Sequence, residues 1–491
     1  MYRPYRTFLL FLLFFGTLLL LAWIFPPEGI RISESFTLRF RKPSGIFAKE
    51  TANDQKLKQL LANTREISDS AETASVRHDT VPALSALDSL ILRYRDTLQT
   101  NICYFEYPSG DSTVLYPFFK KLQPEQREKS LHILHYGDSQ IEVDRISSYL
   151  RKRFQKEYGG GGIGLFSLNS VEDFSRYVTG KASVNCERFG TNGKPVGKTG
   201  ILSSLARFTS LADSADSLKN EGSYLNLTFT GNLHAPEQNV DFLRILYGPA
   251  RKVCKLEIEI DKEKKSLEMS SASAVNSLLI PVGQPVRNIR LRFLSQDIPD
   301  MYALSLEDSL GILVDNIPLR GAAMANFRGM DPDLFRETDS LLNIGLVILE
   351  FGVNVASNVV KSYAYYRDII VNHIADLKRT NPGVSCIIMG ISDVAGKNGN
   401  GIETMKNVEL IRDAQREAAR ITNCAFWDTF KAMGGRNSMP AWVANAPPLA
   451  QKDFIHFTPK GADLVGEMLY NAMMLEYFSY LKKNGNEKID N

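Results

Sequence analysis

No charge of one sign dominates this chain of 491 residues. Lys and Arg number 58 against 55 Asp and Glu, for a net charge of +3. There is therefore no electrostatic case for a nucleic-acid partner. Cysteine is scarce too. Cys103, Cys186, Cys254, Cys386 and Cys424 are scattered, with no CxxC pair and no Cys/His cluster, so no zinc site is readable. The odd count leaves at least one thiol without an intrachain partner, and buried reduced thiols are the expectation. No internal repeat at a fixed period is evident. Histidine, at six residues, is rare enough for each position to be weighed.

Long apolar runs are also missing, with one exception. Thr7 to Phe25 reads TFLLFLLFFGTLLLLAWIF, about the length a helix needs to cross a bilayer. Arg3 and Arg6 precede it, and Trp23 sits near its far end, where aromatic side chains favour the interface. A cleaved signal peptide is the rival reading. The run is long for one, and it leads into Phe25-Pro26-Pro27-Glu28 rather than a small-residue cleavage site. The expectation is a cytoplasmic stretch 1–6, a single-pass anchor 7–25 in the inner (cytoplasmic) membrane, and the remainder outside. Arg31, Arg39, Arg41 and Lys42 on the far side oppose this orientation, although large domains translocate largely regardless of charge.

Residues 26–127 read as a connector and partly helical stalk. Apolar spacing suggests helices over 54–66 and 82–98, with a polar loop from Asp69 to Asp79 between them. At Leu131 the pattern changes. The apolar run LHILHY ends at Gly137-Asp138-Ser139. Ile146, Leu150, Phe154 and Tyr158 then recur every four residues before Gly159, predicting a strand, a tight turn and a helix closed by glycine. The alternation returns as strand 344–351, helix 360–379, strand 384–391, helix 403–422 and strand 424–427. A last helix opens at Thr458-Pro459. Strands alternating with helices predict an α/β domain with a parallel sheet covered on both faces. Between these stretches, SYLNLTFTGN, FLRILYGPA, CKLEIEID and NIRLRFLS alternate with period two between turn residues, predicting an inserted all-β domain over 181–306.

A serine at a strand-to-helix turn stands at the carboxyl edge of a parallel sheet, where such folds place their sites. A helix N-terminus there favours developing negative charge. The alternative is that Asp138 or Ser139 merely caps the helix. In Asp453-Phe454-Ile455-His456, an acid three residues before a histidine can reach Nδ1 and leave Nε2 as base. Asn354, past strand 344–351, can donate its amide to an oxyanion, or simply form a turn. Gly321, past VDNIPLR, can offer a bare N–H, or likewise form a turn. Gly159 to Gly164 matches G-x-G-x-x-G, but a helix precedes it where a nucleotide fingerprint needs a strand. A flexible loop beside the site is expected instead, with glycines permitting unusual backbone angles. Trp442 lies a few residues before the D-x-x-H block and offers a ring for sugar stacking, or for the core.

The order of these blocks resembles the SGNH (GDSL-type) hydrolases: strand-GDS-helix, Gly after a strand, G-x-N after a strand, then D-x-x-H before the C-terminal helix. The likeness covers roughly residues 128–180 and 307–475. It implies a flavodoxin-like α/β fold in a discontinuous domain 128–180 and 307–480, followed by a polar tail 481–491. It also implies a nucleophile at Ser139, with Asp453 and His456 completing the triad. The oxyanion hole would combine Ser139, Gly321 and Asn354. Gln140 stands where the family name has Leu and is a weak substrate-binding candidate together with Trp442. YGDSQIEVDRISSYLRKRFQKEYGGGGIGL and the inserted domain are similar to the peptidoglycan O-acetylesterase branch, whose insert is jelly-roll-like and possesses a carbohydrate-module character. The implied function is removal of O-acetyl groups from an extracytoplasmic glycan, with no metal or organic cofactor. Two alternatives stand beside it. One is an O-acetyltransferase working with a membrane-bound O-acyltransferase. The other is a non-catalytic glycan-binding scaffold.

Overall fold

The computed structural model describes residues 4–24, 30–31, 37–38, 52–73, 87–92, 94–95, 103–168, 178–182, 186–190, 207–211, 223–229, 240–271, 273–282, 286–295, 297–324, 332–399 and 401–487. Its centre is a five-stranded parallel sheet. The strands are β1 (Leu131–Gly137), β2 (Ile312–Pro318), β3 (Ile344–Glu350), β4 (Ser385–Met389) and β5 (Ala425–Trp427). They lie in the order β2-β1-β3-β4-β5, the flavodoxin-like arrangement. Every residue of these strands is buried, and β3 and β4 accordingly read as apolar runs rather than as alternating patterns.

The pleat divides each strand between two cores. Ile133, Val314, Ile348 and Ile387 face one core with Leu150, Phe154 and Tyr158 of α1 (Ser147–Tyr158). Leu134, Val347, Leu349 and Ile388 face the other, with Phe335 of α2 (Pro332–Leu342), Ile370 and Ile374 of α3 (Ala364–Thr380), and Ile411 and Ala418 of α4 (Val408–Thr422). The long α5 (Pro459–Glu487) joins α1 on the first face through Val465, Leu469 and Met473. Each such fully buried aliphatic side chain contributes about 1.5–3 kcal/mol.

Several elements differ from the sequence expectation. The helix expected from 403 begins at Val408. A hairpin of Ala395–Asn398 with Gly401–Thr404 precedes it. Its Asn-Gly-rich centre is turn chemistry that the helical spacing outweighed. The helix expected over 54–66 runs from Ala52 to Thr73 and so takes in the start of the expected polar loop. The segment read as a stalk also contributes to the core on the first face of the parallel sheet. Leu57, Leu60, Leu87, Ile91 and Tyr94 are buried in it beside Phe118, Phe119 and Leu122. Cys103, Cys254, Cys386 and Cys424 are all buried.

The chain between β1 and β2 forms two antiparallel sheets. One orders Glu263–Ser271, Ala250–Ile260, Asn288–Phe293, Ser223–Phe229 and Val178–Ala182; the other centres on Phe242–Tyr247 and Met301–Glu307. Leu225, Leu256 and Leu291 from the first meet Leu243, Ile245 and Leu304 from the second in a core of their own. The strand Gly164–Phe166 already pairs with Met301–Glu307, so β-structure begins earlier than residue 181.

The glycine run Gly159–Gly164 is not a loop beside the site. It packs at the start of β2, the end of the sheet opposite the carboxyl edge: Ile312 N–H donates to Gly159 O at 3.1 Å and Asp308 N–H to Gly161 O at 3.3 Å. At Gly162, with φ +86°, a Cβ would collide with the Leu306 carbonyl. These glycines permit the close backbone approach that joins the inserted sheets to the parallel sheet.

Pro4–Ile24 is a 21-residue helix whose Phe8, Leu10, Leu13 and Ile24 are exposed. Among the described residues no helix is long and apolar enough to cross a membrane. The expected span 7–25 falls partly on side chains outside the described set, at 7, 19, 22, 23 and 25.

Candidate active site

The carboxyl ends of β2, β1 and β3 are level, because Pro318 and Glu350 both sit opposite Gly137. The three loops that leave them are tied together. Leu319 N–H donates to Gly137 O at 2.8 Å, and Asp138 N–H donates to Glu350 O at 3.1 Å. Asp138 is fully buried. Its carboxylate accepts the N–H of Gln140 at 3.0 Å and faces the backbone N–H groups of Gly352 and Val353, which favour its charged form. Burial, with Glu350 nearby, pushes that carboxyl up to about 8 against these hydrogen bonds.

Ser139 follows directly on this anchored turn. Its Oγ lies 2.7 Å from Nε2 of His456. Nδ1 of His456 lies 2.7 Å from Oδ2 of Asp453. The other Asp453 oxygen accepts the N–H groups of Ile455 at 3.0 Å and His456 at 3.1 Å. Desolvation raises the Asp453 carboxyl, but the hydrogen bonds from the His456 side chain and from the two backbone N–H groups outweigh it and hold the group below the usual carboxylate range. An ionised carboxylate on Nδ1 fixes the tautomer that leaves Nε2 to accept the serine proton.

Local structure brings His456 to this place. The loop 451–456 closes on itself through Gln451 N–H to His456 O at 2.8 Å and the bridge between Ala450 and Phe457. Phe454 takes a left-handed φ of 59° within it. Thr458 Oγ1 then accepts the N–H of Gly461 at 3.2 Å and Pro459 opens α5, the cap expected of Thr-Pro.

Asn354 and the Gly321 segment meet. Asn354 Nδ2 donates to the carbonyl of Ala322 at 3.0 Å, and Ala322 N–H closes a turn on Leu319 O at 2.9 Å. Gly321, exposed, turns between them at φ +73°. Ahead of Asn354, Gly352 adopts φ +134°, and a Cβ there would lie 2.9 Å from the Cβ of Ile391.

Three expectations change. Ser139 is not at a helix N-terminus. Val143, Asp144 and Ile146 take φ of 56°, 61° and 63°, which breaks the backbone, and α1 starts only at Ser147. Gln140 is 1% exposed and faces the interior, so it offers no contact to substrate. Trp442 is 0% exposed. Its Nε1 donates to Met433 O at 3.1 Å and its ring packs 5.5 Å from that of Phe457, so no face is open to a sugar.

Two neighbours escaped the sequence reading. Arg145 donates from Nη2 to the carbonyl of Ser139 at 2.6 Å and from Nη1 to that of Phe457 at 3.3 Å. No motif marks it. Ser392, just past β4, accepts from Gln140 Nε2 at 3.0 Å. Its position at the carboxyl edge of a strand was the available signal.

No family model and no curated protein sequence matches the chain. Solved structures do. A peptidoglycan O-acetylesterase structure superposes with a TM-score of 0.59 at 21% identity, covering 75% of this chain and 98% of its own. An acetyl xylan esterase aligns at 18% identity over 33% of this chain and 81% of its own, with a TM-score of 0.25. A GDSL-like lipase from Parabacteroides merdae aligns at 14% identity over 34% and 74%, also at 0.25. The superposition at a TM-score of 0.59 shows a shared fold.

Proposed function

We propose, from the SGNH-type fold that this chain shares with the solved peptidoglycan O-acetylesterase, that it is a serine esterase removing O-acetyl groups from a glycan outside the cytoplasmic membrane. The observation that carries this reading is the line Ser139 Oγ, His456, Asp453, with 2.7 Å at each link. Ser139 attacks the acetyl carbon while His456 Nε2 takes its proton. Asp453 stabilises the imidazolium that results. The Asn354 amide and the N–H groups of Ser139 and Gly321 receive the oxyanion. His456 then returns the proton to the departing sugar oxygen. Water, activated by the same imidazole, releases acetate from the acyl-enzyme.

Glycan as the substrate class is supported by the substrate named for the superposed enzyme, and by the two-sheet insert as a second surface for a polymer. The uncharged sequence run Thr7 to Phe25, preceded by Arg3 and Arg6, is the ground for proposing a tether by residues 7–25. An alkaline phosphatase fusion after Glu50, with the mature N-terminus sequenced, tests that tether. An inactive reporter excludes export, and a start beyond Pro27 excludes the anchor.

The activity test measures acetate release from O-acetylated peptidoglycan by the full chain in detergent, with and without a de-acetylated acceptor glycan. Release by the wild type and its loss in Ser139→Ala support the esterase. Acetyl appearing on the acceptor instead of as acetate makes the chain a transferase. A wild type without turnover leaves the scaffold reading.

A further inference from the structure

The triad histidine sits on a solvent-facing loop. Residues 451–453 are exposed and 454–456 only half-buried, so side-chain packing from outside does little to fix His456. We propose that Gln140 is a positioning residue that fixes it from inside, by clamping the peptide groups on both sides of His456 to the nucleophile turn. Gln140 Nε2 donates to Ile455 O at 2.8 Å and to Ser392 Oγ at 3.0 Å. Its Oε1 accepts the N–H of Phe457 at 3.3 Å. Both amide hydrogens and the carbonyl oxygen are thus engaged, and a planar amide so engaged cannot rotate. The flipped orientation would set Oε1 against the Ile455 carbonyl, so the network assigns this one.

The other end of the clamp is equally fixed. Gln140 N–H donates to Asp138 Oδ1 at 3.0 Å, and Asp138 N–H is held by β3. One buried residue therefore spans from the turn that carries the nucleophile to the loop that carries the base. Arg145 adds a parallel link between the Ser139 and Phe457 carbonyls. A base displaced by about 1 Å costs on the order of 100-fold in rate, so the clamp acts on kcat and leaves substrate affinity nearly untouched.

This inference rests on Ser139 being the nucleophile, and the test separates the two. A fluorophosphonate probe reacts with an activated serine: Oγ bonds to phosphorus, fluoride leaves with the P–F electrons, and the hydroxyl proton passes to His456. If the wild-type full chain is not labelled at Ser139, the esterase reading fails. If it is labelled, Gln140→Leu decides. Labelling and kcat for acetyl release should fall by about 10- to 100-fold with KM changed less than about 3-fold and thermal unfolding still cooperative. Wild-type labelling rates in folded Gln140→Leu, or a rise in KM at unchanged kcat, overturn the clamp. Should that variant not fold, Gln140→Glu carries the decision, since it keeps the shape and the acceptor for Phe457 N–H. Its protonated form can donate to Ile455 O and its ionised form cannot, so its kcat relative to wild type should rise as pH falls. A ratio that is flat with pH overturns the proposal.

Discussion

Nδ1 of His132 lies 2.8 Å from Oδ2 of Asp315 inside the parallel sheet, with neither side chain more than 1% exposed. On its other nitrogen, Nε2 lies 3.3 Å from Glu307, the last residue of the inserted sheets, and Glu307 in turn pairs with Arg244. The imidazole therefore joins two β-systems through charge. Desolvation lowers its affinity for the proton, but Asp315 and Glu307 together outweigh that and raise its pKa to about 9.

The sign follows from linkage. A histidine raised from its ordinary value near 6.5 to about 9 stabilises the fold fully below the unfolded value. That contribution is lost as pH climbs through the folded one. The urea midpoint of the full chain should therefore decline between about pH 7 and 10, and His132→Gln should be less stable at pH 7 with a flatter profile over that window. A variant whose profile parallels the wild type there removes His132 from the pH dependence.

Asn354→Ala should lower kcat by about 100- to 1000-fold with little change in KM, because an oxyanion donor acts mainly in the transition state. Steady-state kinetics on an acetyl ester measure the split. Loss confined to KM makes Asn354 a ground-state binding residue.

Much of the arrangement was readable in the chain because its signals are local. LHILHY and IGLVILE are largely apolar runs, and a Gly, Ser or Asn follows each within a few residues. That texture betrays buried parallel strands and their carboxyl edge. Gln140 was misread for the opposite reason. The partners of Gln140 lie 252 and 315 residues away, and nothing near it announces that a polar side chain goes inward. The break before α1 was invisible as well, since Val143 and Ile146 are β-branched and seldom take positive φ. The spacing of Ile146, Leu150, Phe154 and Tyr158 favoured a helix directly after the turn.

Trp442→Ala should destabilise the protein by about 3–5 kcal/mol, the usual cost of emptying a buried Trp site. Substrate KM per folded molecule should stay unchanged. Chemical denaturation and kinetics on the same preparation test both halves. A raised KM with intact stability would restore the sugar-stacking role that burial argues against.

The backbone kinks just after Ser139. Val143, Asp144 and Ile146 all take positive φ, where strain runs to about 1–3 kcal/mol per residue and persists only if the surroundings enforce it. The enforcing contact is Arg151. Its Nη1 and Nη2 bind the two oxygens of Asp144 at 2.6 and 2.9 Å, and Nε and Nη2 donate to Val314 O at 2.9 and 2.7 Å. Both side chains are 1% exposed. Asp144→Ala would leave a guanidinium buried without its counter-charge, at about 3–5 kcal/mol. It would also free the segment that carries Arg145 onto the Ser139 carbonyl, so activity should fall in the molecules that stay folded. Replacing the pair together, Asp144→Leu with Arg151→Met, removes the uncompensated charge and should recover a large part of the stability. It should not recover the activity, because the restraint on residues 143–146 is absent from both variants. Urea unfolding and acetyl release on the single and double variants give the two comparisons. A double variant that regains stability and full turnover would show that the kink needs no ion pair to hold it.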